Sequence, residues 1–315
     1  MRRAAEFHFG IVTAWPEEDW HSRRLTAACA RRGHAACVDP STLSMFLGEG
    51  APKVCRPLSR SSGFDAWVLA RGLGPRGDPD VQFEIYRALE GTGALVVNRI
   101  DALLAAQDKL RTSWLLRRAG VPTPVAAAAQ TRQAALAALE VLGTAVLKPI
   151  AGSLGEGVVR VRADRRGRRE VAEWVERQGA VYLQRYVAHP GRDARLFVVG
   201  DRVAGAMERL APPGEWRTNV EFGARVRSLA PDRPTAVVAC RAARALGLDW
   251  AGVDLVAGPD GPTVLEVNGN PSWAGILDAT GEDMAEPIAE HVLARALRRA
   301  GGVAVNPEQS RANHG

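Results

Sequence analysis

The sequence predicts a mixed α/β protein: a small parallel α/β domain over residues 1–98, followed by an α+β region built on antiparallel strands. Three observations carry this. In the first hundred residues, short apolar runs at 7–13, 35–38, 65–70 and 94–97 alternate with helical stretches at 18–32 and 80–90, the order of a parallel sheet. A strand at 145–149 runs into a glycine-rich loop and out into a second strand at 158–162. Later, β-rich segments at 194–200, 202–209, 250–257 and 262–268 follow one another as antiparallel strands do, with one helix, 234–246, among them.

The elements follow in order. Gly33 ends the first helix. No G-x-G-x-x-G follows the first strand, which excludes a classical dinucleotide site there. Residues 101–119 read as one helix with Leu103, Leu104, Leu110, Trp114 and Leu115 on an apolar stripe, ended by Gly120. Val121-Pro-Thr-Pro124 forces an extended connector. Residues 126–142 read as mostly helix. Strands at 158–162 and 181–186 flank an amphipathic helix near 170–178, with Arg165-Arg166-Gly-Arg168-Arg169 as a charged loop before it. A final helix, 283–299, carries Ile288, Val292, Leu293 and Leu297, and the polar tail 302–315 is expected to be disordered. The domain boundaries expected are 1–98, 99–187 and 188–301.

Composition narrows the function. At 315 residues the chain can bury a sizeable core, and its 46% hydrophobic and 24% charged content is ordinary for a globular protein. No run approaches the roughly 18 apolar residues of a membrane span, and the N-terminus lacks a secretory signal, so a cytoplasmic protein is expected. Cys29, Cys37, Cys55 and Cys240 show no CxxC spacing and read as free thiols. The net charge is +6, but no aromatics interleave with the basic run, so no nucleic-acid partner is expected. The only lysines are Lys53, Lys109 and Lys148.

Glu266 and Asn268 sit two apart in a β-rich segment and so share a face, with Asp254 on a neighbouring strand. Three hard oxygen ligands suit Mg²⁺; a solvated polar face of an antiparallel sheet would read the same way. In Ala151-Gly152-Ser153-Leu-Gly155-Glu-Gly157-Val158 the glycines let backbone N–H groups turn inward onto phosphate, as they would also let a plain hairpin form. Lys148, on the strand just before, favours the phosphate reading. Lys109 is also consistent with a surface lysine. Gln184-Arg185-Tyr186-Val187, at a strand end, can offer hydrogen-bonding groups to a purine edge. Arg195, Arg209 and Arg217, with Asn219, suit an acidic ligand on which negative charge develops.

Taken in order, Asp108-Lys109-Leu-Arg, Val146-Leu-Lys148-Pro, the glycine loop, Asp193-Ala-Arg195-Leu-Phe-Val-Val-Gly200, Trp216-Arg217-Thr-Asn219, Ala251-Gly-Val-Asp254 and Leu265-Glu266-Val-Asn268 resemble the ATP-grasp superfamily, most closely the RimK-like α-L-glutamate ligases. The resemblance runs from Asn98 to Gly281. It implies an ATP-grasp fold behind a small N-terminal domain, with two α+β subdomains clasping ATP. By the resemblance Lys109 and Lys148 contact phosphates beneath a mobile glycine-loop lid, residues 184–187 meet adenine and Asp193 binds ribose. Asp254, Glu266 and Asn268 hold two Mg²⁺ ions, with Mn²⁺ as a substitute, while Arg209 and Arg217 stabilise the transferred phosphoryl group and Asn219 lies near the acceptor. Arg185 departs from the acidic residue common in the family, and Gly269-Asn270-Pro271 from its usual ending, so Trp273 is expected to line an acceptor pocket of different shape.

The activity implied is an ATP-dependent carboxylate–amine ligase, EC 6.3.2-type, acting through an acyl phosphate. Its partners are a small-molecule or peptide acceptor carboxylate and an amino acid, L-glutamate foremost, in a protein that can form a homo-oligomer. The competing readings are a peptide or D-Ala–D-Ala-like ligase of the same fold and a non-catalytic nucleotide-binding module.

Overall fold

The computed structural model describes residues 6–55, 63–71, 76–150 and 157–301. The chain divides into two compact units: residues up to Ile100, joined by the C-terminal segment from Ala285, and residues Asp101–Met284.

In the first unit, β1 (His8–Val12), α1 (Trp20–Ala30), β2 (His34–Val38), β3 (Ser44–Phe46), β4 (Lys53–Cys55), β5 (Ala66–Leu69), α2 (Pro79–Gly91) and β6 (Leu95–Val97) follow in order. The sheet order is β2-β1-β5-β6, all parallel. Every residue of β5 is buried, as a sheet covered on both faces requires. β3 and β4 form a separate antiparallel ribbon that the sequence reading did not anticipate.

The second unit opens with α3 (Ile100–Gln107) and α4 (Lys109–Arg118). The single helix expected over 101–119 breaks at Asp108, which is extended (φ −90°, ψ 108°) and caps α4 by accepting from the Arg111 N–H at 2.9 Å. The break turns Leu110 and Trp114 outward, 41% and 51% exposed, and buries Leu116 instead. It also makes Lys109 the first residue of α4, where its N–H donates to the Ile150 carbonyl at 3.1 Å.

Next come β7 (Ala126–Ala129), α5 (Arg132–Leu142), β8 (Thr144–Lys148), β9 (Val159–Arg162), α6 (Arg165–Gln178) and β10 (Val181–Arg185). The four strands form an antiparallel sheet ordered β7-β10-β8-β9. Four alanines form β7 rather than the start of a helix because pairing with β10 outweighs their helix propensity. The basic run expected as a loop is the first turn of α6, capped by Asp164 accepting from the Gly167 N–H at 2.9 Å. A Cβ at Gly167 would lie 2.1 Å from the Arg162 carbonyl, so glycine lets the helix start hard against the end of β9. Leu139, Leu147, Val171 and Leu183 seal α5 and α6 onto the sheet. Each such side chain contributes about 1.5–3 kcal/mol by burial.

The second sheet of this unit contains β11 (Arg192–Val199), β12 (Arg202–Leu210), β13 (Arg225–Ser228), β14 (Trp250–Gly258) and β15 (Gly261–Asn268), with α7 (Arg233–Ala245) and α8 (Ala274–Thr280). Its order is β13-β12-β11-β14-β15, antiparallel throughout. β13 and α8 were not foreseen. Trp273, expected to line an acceptor pocket, is 4% exposed, edge-on to Phe197 and donating to Asp283 at 3.0 Å; it is core.

The last helix, α9 (Ala285–Gly301), groups with the first unit. Arg32, just past the end of α1, donates to Glu286 and Glu290 at 2.8 and 2.9 Å. Among the described residues no helix is long and apolar enough to cross a membrane.

Candidate active site

A cleft within the second unit is lined from both of its sheets. From the four-stranded side come Val146, Lys148, Gln184 and the 185–189 segment; from the five-stranded side come Asp193, Arg209, Asp254 and Glu266. Lys109 and the Trp216–Asn219 stretch complete the wall.

Two hairpins aim the charged groups, each through a bulge. β11 and β12 pair Val199 with Arg202 beside the turn, and continuing that count would set Asp193 against Glu208. A register shift between Phe197 and Val198 sets Asp193 against Arg209 instead. β14 and β15 pair Gly258 with Gly261, and the same count would set Asp254 against Leu265. The shift between Asp254 and Leu255 sets Asp254 against Glu266 and Gly252 against Asn268. Each bulge therefore turns a strand's charged residues onto the cleft face, since one residue of slip reverses every side chain.

The result is a buried ionic network. Arg195 donates to Asp254 through Nε and Nη2, both at 2.7 Å. Arg209 donates to Asp193 through Nε at 2.8 Å and again through Nη2, which also lies 3.1 Å from Asp254 Oδ2. Thr218 donates to Asp193 Oδ2 at 2.7 Å. Burial acts to raise the Asp254 pKa, but the charges of Arg195 and Arg209 outweigh it and hold the carboxyl well below the usual range. Asp193, expected to bind ribose, is 5% exposed and has its oxygens taken by Arg209 and Thr218; it is part of this frame.

Lys148 Nζ donates to Gln184 Oε1 at 2.7 Å, and Gln184 Nε2 reaches the Leu265 carbonyl at 3.4 Å. The Gln184 side chain thus joins the lysine to the opposite sheet rather than facing a purine. Burial pushes the Lys148 ammonium below the ordinary lysine value, with the Glu266 charge acting against that. Lys109 Nζ lies 3.7 Å from Glu266 Oε1. At the strand end the Tyr186 N–H is spent on the Thr144 carbonyl, while the Val187 N–H has no partner among the described residues. Arg185 is exposed and donates to the Val141 carbonyl at 3.3 Å, away from the site's other polar groups.

The Asn219 side chain makes no capping bond to the turn it begins. Arg217 is held by Glu215. Gly157 has φ 67°, and the expected loop residues Gly152, Ser153 and Gly155 lie outside the described residues.

The spacing gave no sign of Arg160, which rests over Tyr186 and Trp216 at 5.1 and 5.5 Å, or of His189, whose Nδ1 is buried without a partner among the described residues. Arg160 projects from β9 onto rings that come from two separate segments, a meeting no local pattern encodes.

The donor set fits a hard cation. Three guanidinium bonds on Asp254 leave one of its roughly four lone-pair positions open, on Oδ1. Glu266 faces it in register, and Asn268, whose amide oxygen could serve as a ligand, follows on the same face. An all-oxygen set with an amide as its third member suits Mg²⁺; among the described residues no three His, Cys, Asp or Glu side chains group as a metal site on their own.

Two antiparallel sheets meeting over lysines on one side and carboxylates on the other define an ATP-grasp carbon–nitrogen ligase. The RimK-like ATP-grasp domain matches residues 106–292, and the chain belongs to that family. The tetrahydromethanopterin:alpha-L-glutamate ligase of Methanosarcina acetivorans is 33% identical over 90% of this chain and 98% of its own length. A probable alpha-L-glutamate ligase of Pseudoalteromonas translucida is 34% identical over 87% of this chain and 91% of its own. The ATP-grasp ligase PsnB, solved with a phosphomimetic variant of its minimal precursor, Mg and ADP, superposes with a TM-score of 0.70 at 21% identity, covering 92% of this chain and 99% of that one.

Proposed function

We propose that the protein joins L-glutamate to an acceptor carboxylate with Mg·ATP as the energy source. The observation that carries this is the meeting of Lys109 and Lys148 with Asp254 and Glu266 in one cleft. Polyphosphate needs cations on one side and metal-holding carboxylates on the other. The alpha-L-glutamate ligases among its relatives support glutamate as the amine.

In this reading an acceptor carboxylate oxygen attacks the γ-phosphorus of ATP in line, the bond to the β-bridging oxygen breaks, and ADP leaves. The glutamate α-amine then attacks the acyl phosphate, loses a proton and expels inorganic phosphate, leaving an amide. Lys109 and Lys148 hold the phosphates, and the Val187 N–H meets the adenine edge. Arg209 and Arg217 offset the charge that spreads over the phosphoryl oxygens. Asn219 orients the acceptor. Asp254, Glu266 and Asn268 would hold Mg²⁺, two ions by the proposal, which when bound neutralises phosphate charge. Closing the cleft keeps water from the acyl phosphate.

The test is ADP release from Mg·ATP against a panel of carboxylate acceptors, pterin and peptide acids included, with and without L-glutamate. Products are followed by mass spectrometry. An acceptor gaining glutamyl mass is expected. ADP release with a different amine discards glutamate. ATP binding without turnover across the panel favours a non-catalytic module. The peptide precursor bound to PsnB supports one second reading, a peptide acceptor, which the same panel decides.

A further inference from the structure

Arg217 is less buried than Arg195 and Arg209, yet it is tightly held. Oε1 of Glu215 accepts from the backbone N–H groups of Trp216 at 2.8 Å and Arg217 at 2.9 Å, and from Arg217 Nε at 3.1 Å. Oε2 accepts from Arg217 Nη2 at 2.7 Å. The guanidinium carbon lies 3.7 Å from the centre of the Phe222 ring. One residue on, Thr218 is fixed to the buried Asp193. Hydrogen bonds from Arg217, then from the two backbone amides, hold the Glu215 carboxyl down at about 2, so the clamp stays charged across the working pH range.

Stability does not explain this arrangement. A part-buried ion pair between residues two apart contributes little to folding. What the clamp fixes is direction. Glu215 takes the Nε–Nη2 edge of the fork and Phe222 takes a face, leaving Nη1 without a partner among the described residues. Arg217 lines the cleft and Glu215 does not.

We propose that Glu215 and Phe222 are positioning residues that hold Arg217 with its Nη1 edge presented to the anionic phosphoryl group in the cleft. The inference rests on the ligase reading above. A pre-aimed donor needs no reorganisation when charge develops, which is where such a group lowers a barrier. Because Glu215 acts only through Arg217, its removal has no consequence once Arg217 is gone.

The experiment is a double-mutant cycle on the full chain: Glu215→Gln, Arg217→Ala and the pair together, with kcat and KM for ATP read from ADP release. Glu215→Gln is expected to lower kcat about 10-fold, with a smaller change in KM and an unchanged melting temperature. The double variant is expected to match Arg217→Ala, and Glu215→Asp, which keeps the charge, to regain part of the rate. A kcat unmoved by Glu215→Gln, or losses that multiply in the double variant, overturns the inference and leaves the ligase reading standing. An Arg217→Ala enzyme at the unaltered rate removes both Arg217 and its clamp. No ADP release from the unaltered protein with any acceptor overturns the ligase reading itself.

Discussion

The two sheets facing the cleft hold their polar groups in opposite ways. On the five-stranded sheet Asp193, Arg209, Asp254 and Arg195 satisfy one another, with Thr218 closing the set. On the four-stranded sheet Lys148 is a half-buried cation whose hydrogen bond goes to one neutral amide oxygen, that of Gln184. The first arrangement balances two carboxylates against two guanidinium groups and leaves one oxygen position open, on Asp254 Oδ1. The second is short of negative charge, and a phosphate supplies it. Ion pairs closed on themselves serve geometry, while an under-compensated buried charge is kept at a cost to stability because it binds.

Cutting the ionic network sharpens this contrast most. Asp254→Ala removes a proposed metal ligand and strands two guanidinium groups, one of them on the 3%-exposed Arg209. Turnover is expected to fall by more than about 1,000-fold. Stability is expected to drop by about 3–5 kcal/mol, the usual consequence of breaking a buried pair on one side. Urea unfolding and ADP release measure the two losses separately. A variant that unfolds early yet turns over normally would confine Asp254 to the frame.

Lys148→Met tests the other sheet, and here activity and stability should part company. ADP formation is expected to fall about 100-fold, while the urea midpoint holds or rises, because a desolvated charge has been replaced by an apolar chain of similar length. The pH dependence carries the sign. The folded-state pKa of Lys148 lies below its ordinary 10.5, so across that interval the unfolded chain binds more protons. The lysine's penalty is fully present below the folded pKa and disappears as pH rises to 10.5. Unaltered protein should therefore gain stability over that window while losing ATP affinity, and Lys148→Met should show neither slope. Parallel slopes would break the comparison.

Much of this site was legible along the sequence and little of it across. Strand parity put Glu266 and Asn268 on one face, and the scarcity of lysine drew attention to Lys109 and Lys148. The pairing of Asp193 with Arg209 was hidden by the bulge at Phe197 and Val198: counted from the turn, the hairpin sets Asp193 against another acid. The bulge beside Asp254 hides its pairing with Glu266 in the same way. Registers counted from a turn fail beyond a bulge, because the extra residue reverses the facing of all that follow. The helix break at Asp108 did have a signal, an N-cap residue just before Lys109, which the continuous apolar pattern masked.

A smaller effect is expected at Gln184, whose side chain hydrogen-bonds to both sheets. Gln184→Leu keeps the volume but deprives Lys148 of its oxygen and Leu265 of a 3.4 Å contact. KM for ATP is expected to rise about 10-fold, with kcat at saturating ATP changing less, because the ligand's own phosphate can then hold the ammonium. An equal fall in kcat would mean that Gln184 aims the lysine during phosphoryl transfer as well as before it.

The smallest effect is predicted one residue further along the same strand. Gln184 is 3% exposed, whereas Arg185 is exposed and its only side-chain hydrogen bond among the described residues, at 3.3 Å, goes to the Val141 carbonyl on α5. Reversing the charge there, Arg185→Glu, should change kcat/KM for ATP by less than about twofold and stability by less than about 0.5 kcal/mol. The backbone at this point is fixed independently of the side chain, the Arg185 N–H donating to the Val125 carbonyl at 2.7 Å and the Tyr186 N–H to Thr144 at 2.9 Å. The Val187 N–H is thereby set in place whatever residue 185 carries. A larger loss with Glu, not reproduced by Arg185→Ala, would mean that charge at this edge reaches the nucleotide, and the division between a ligand-facing and a solvent-facing side of β10 would have to be redrawn.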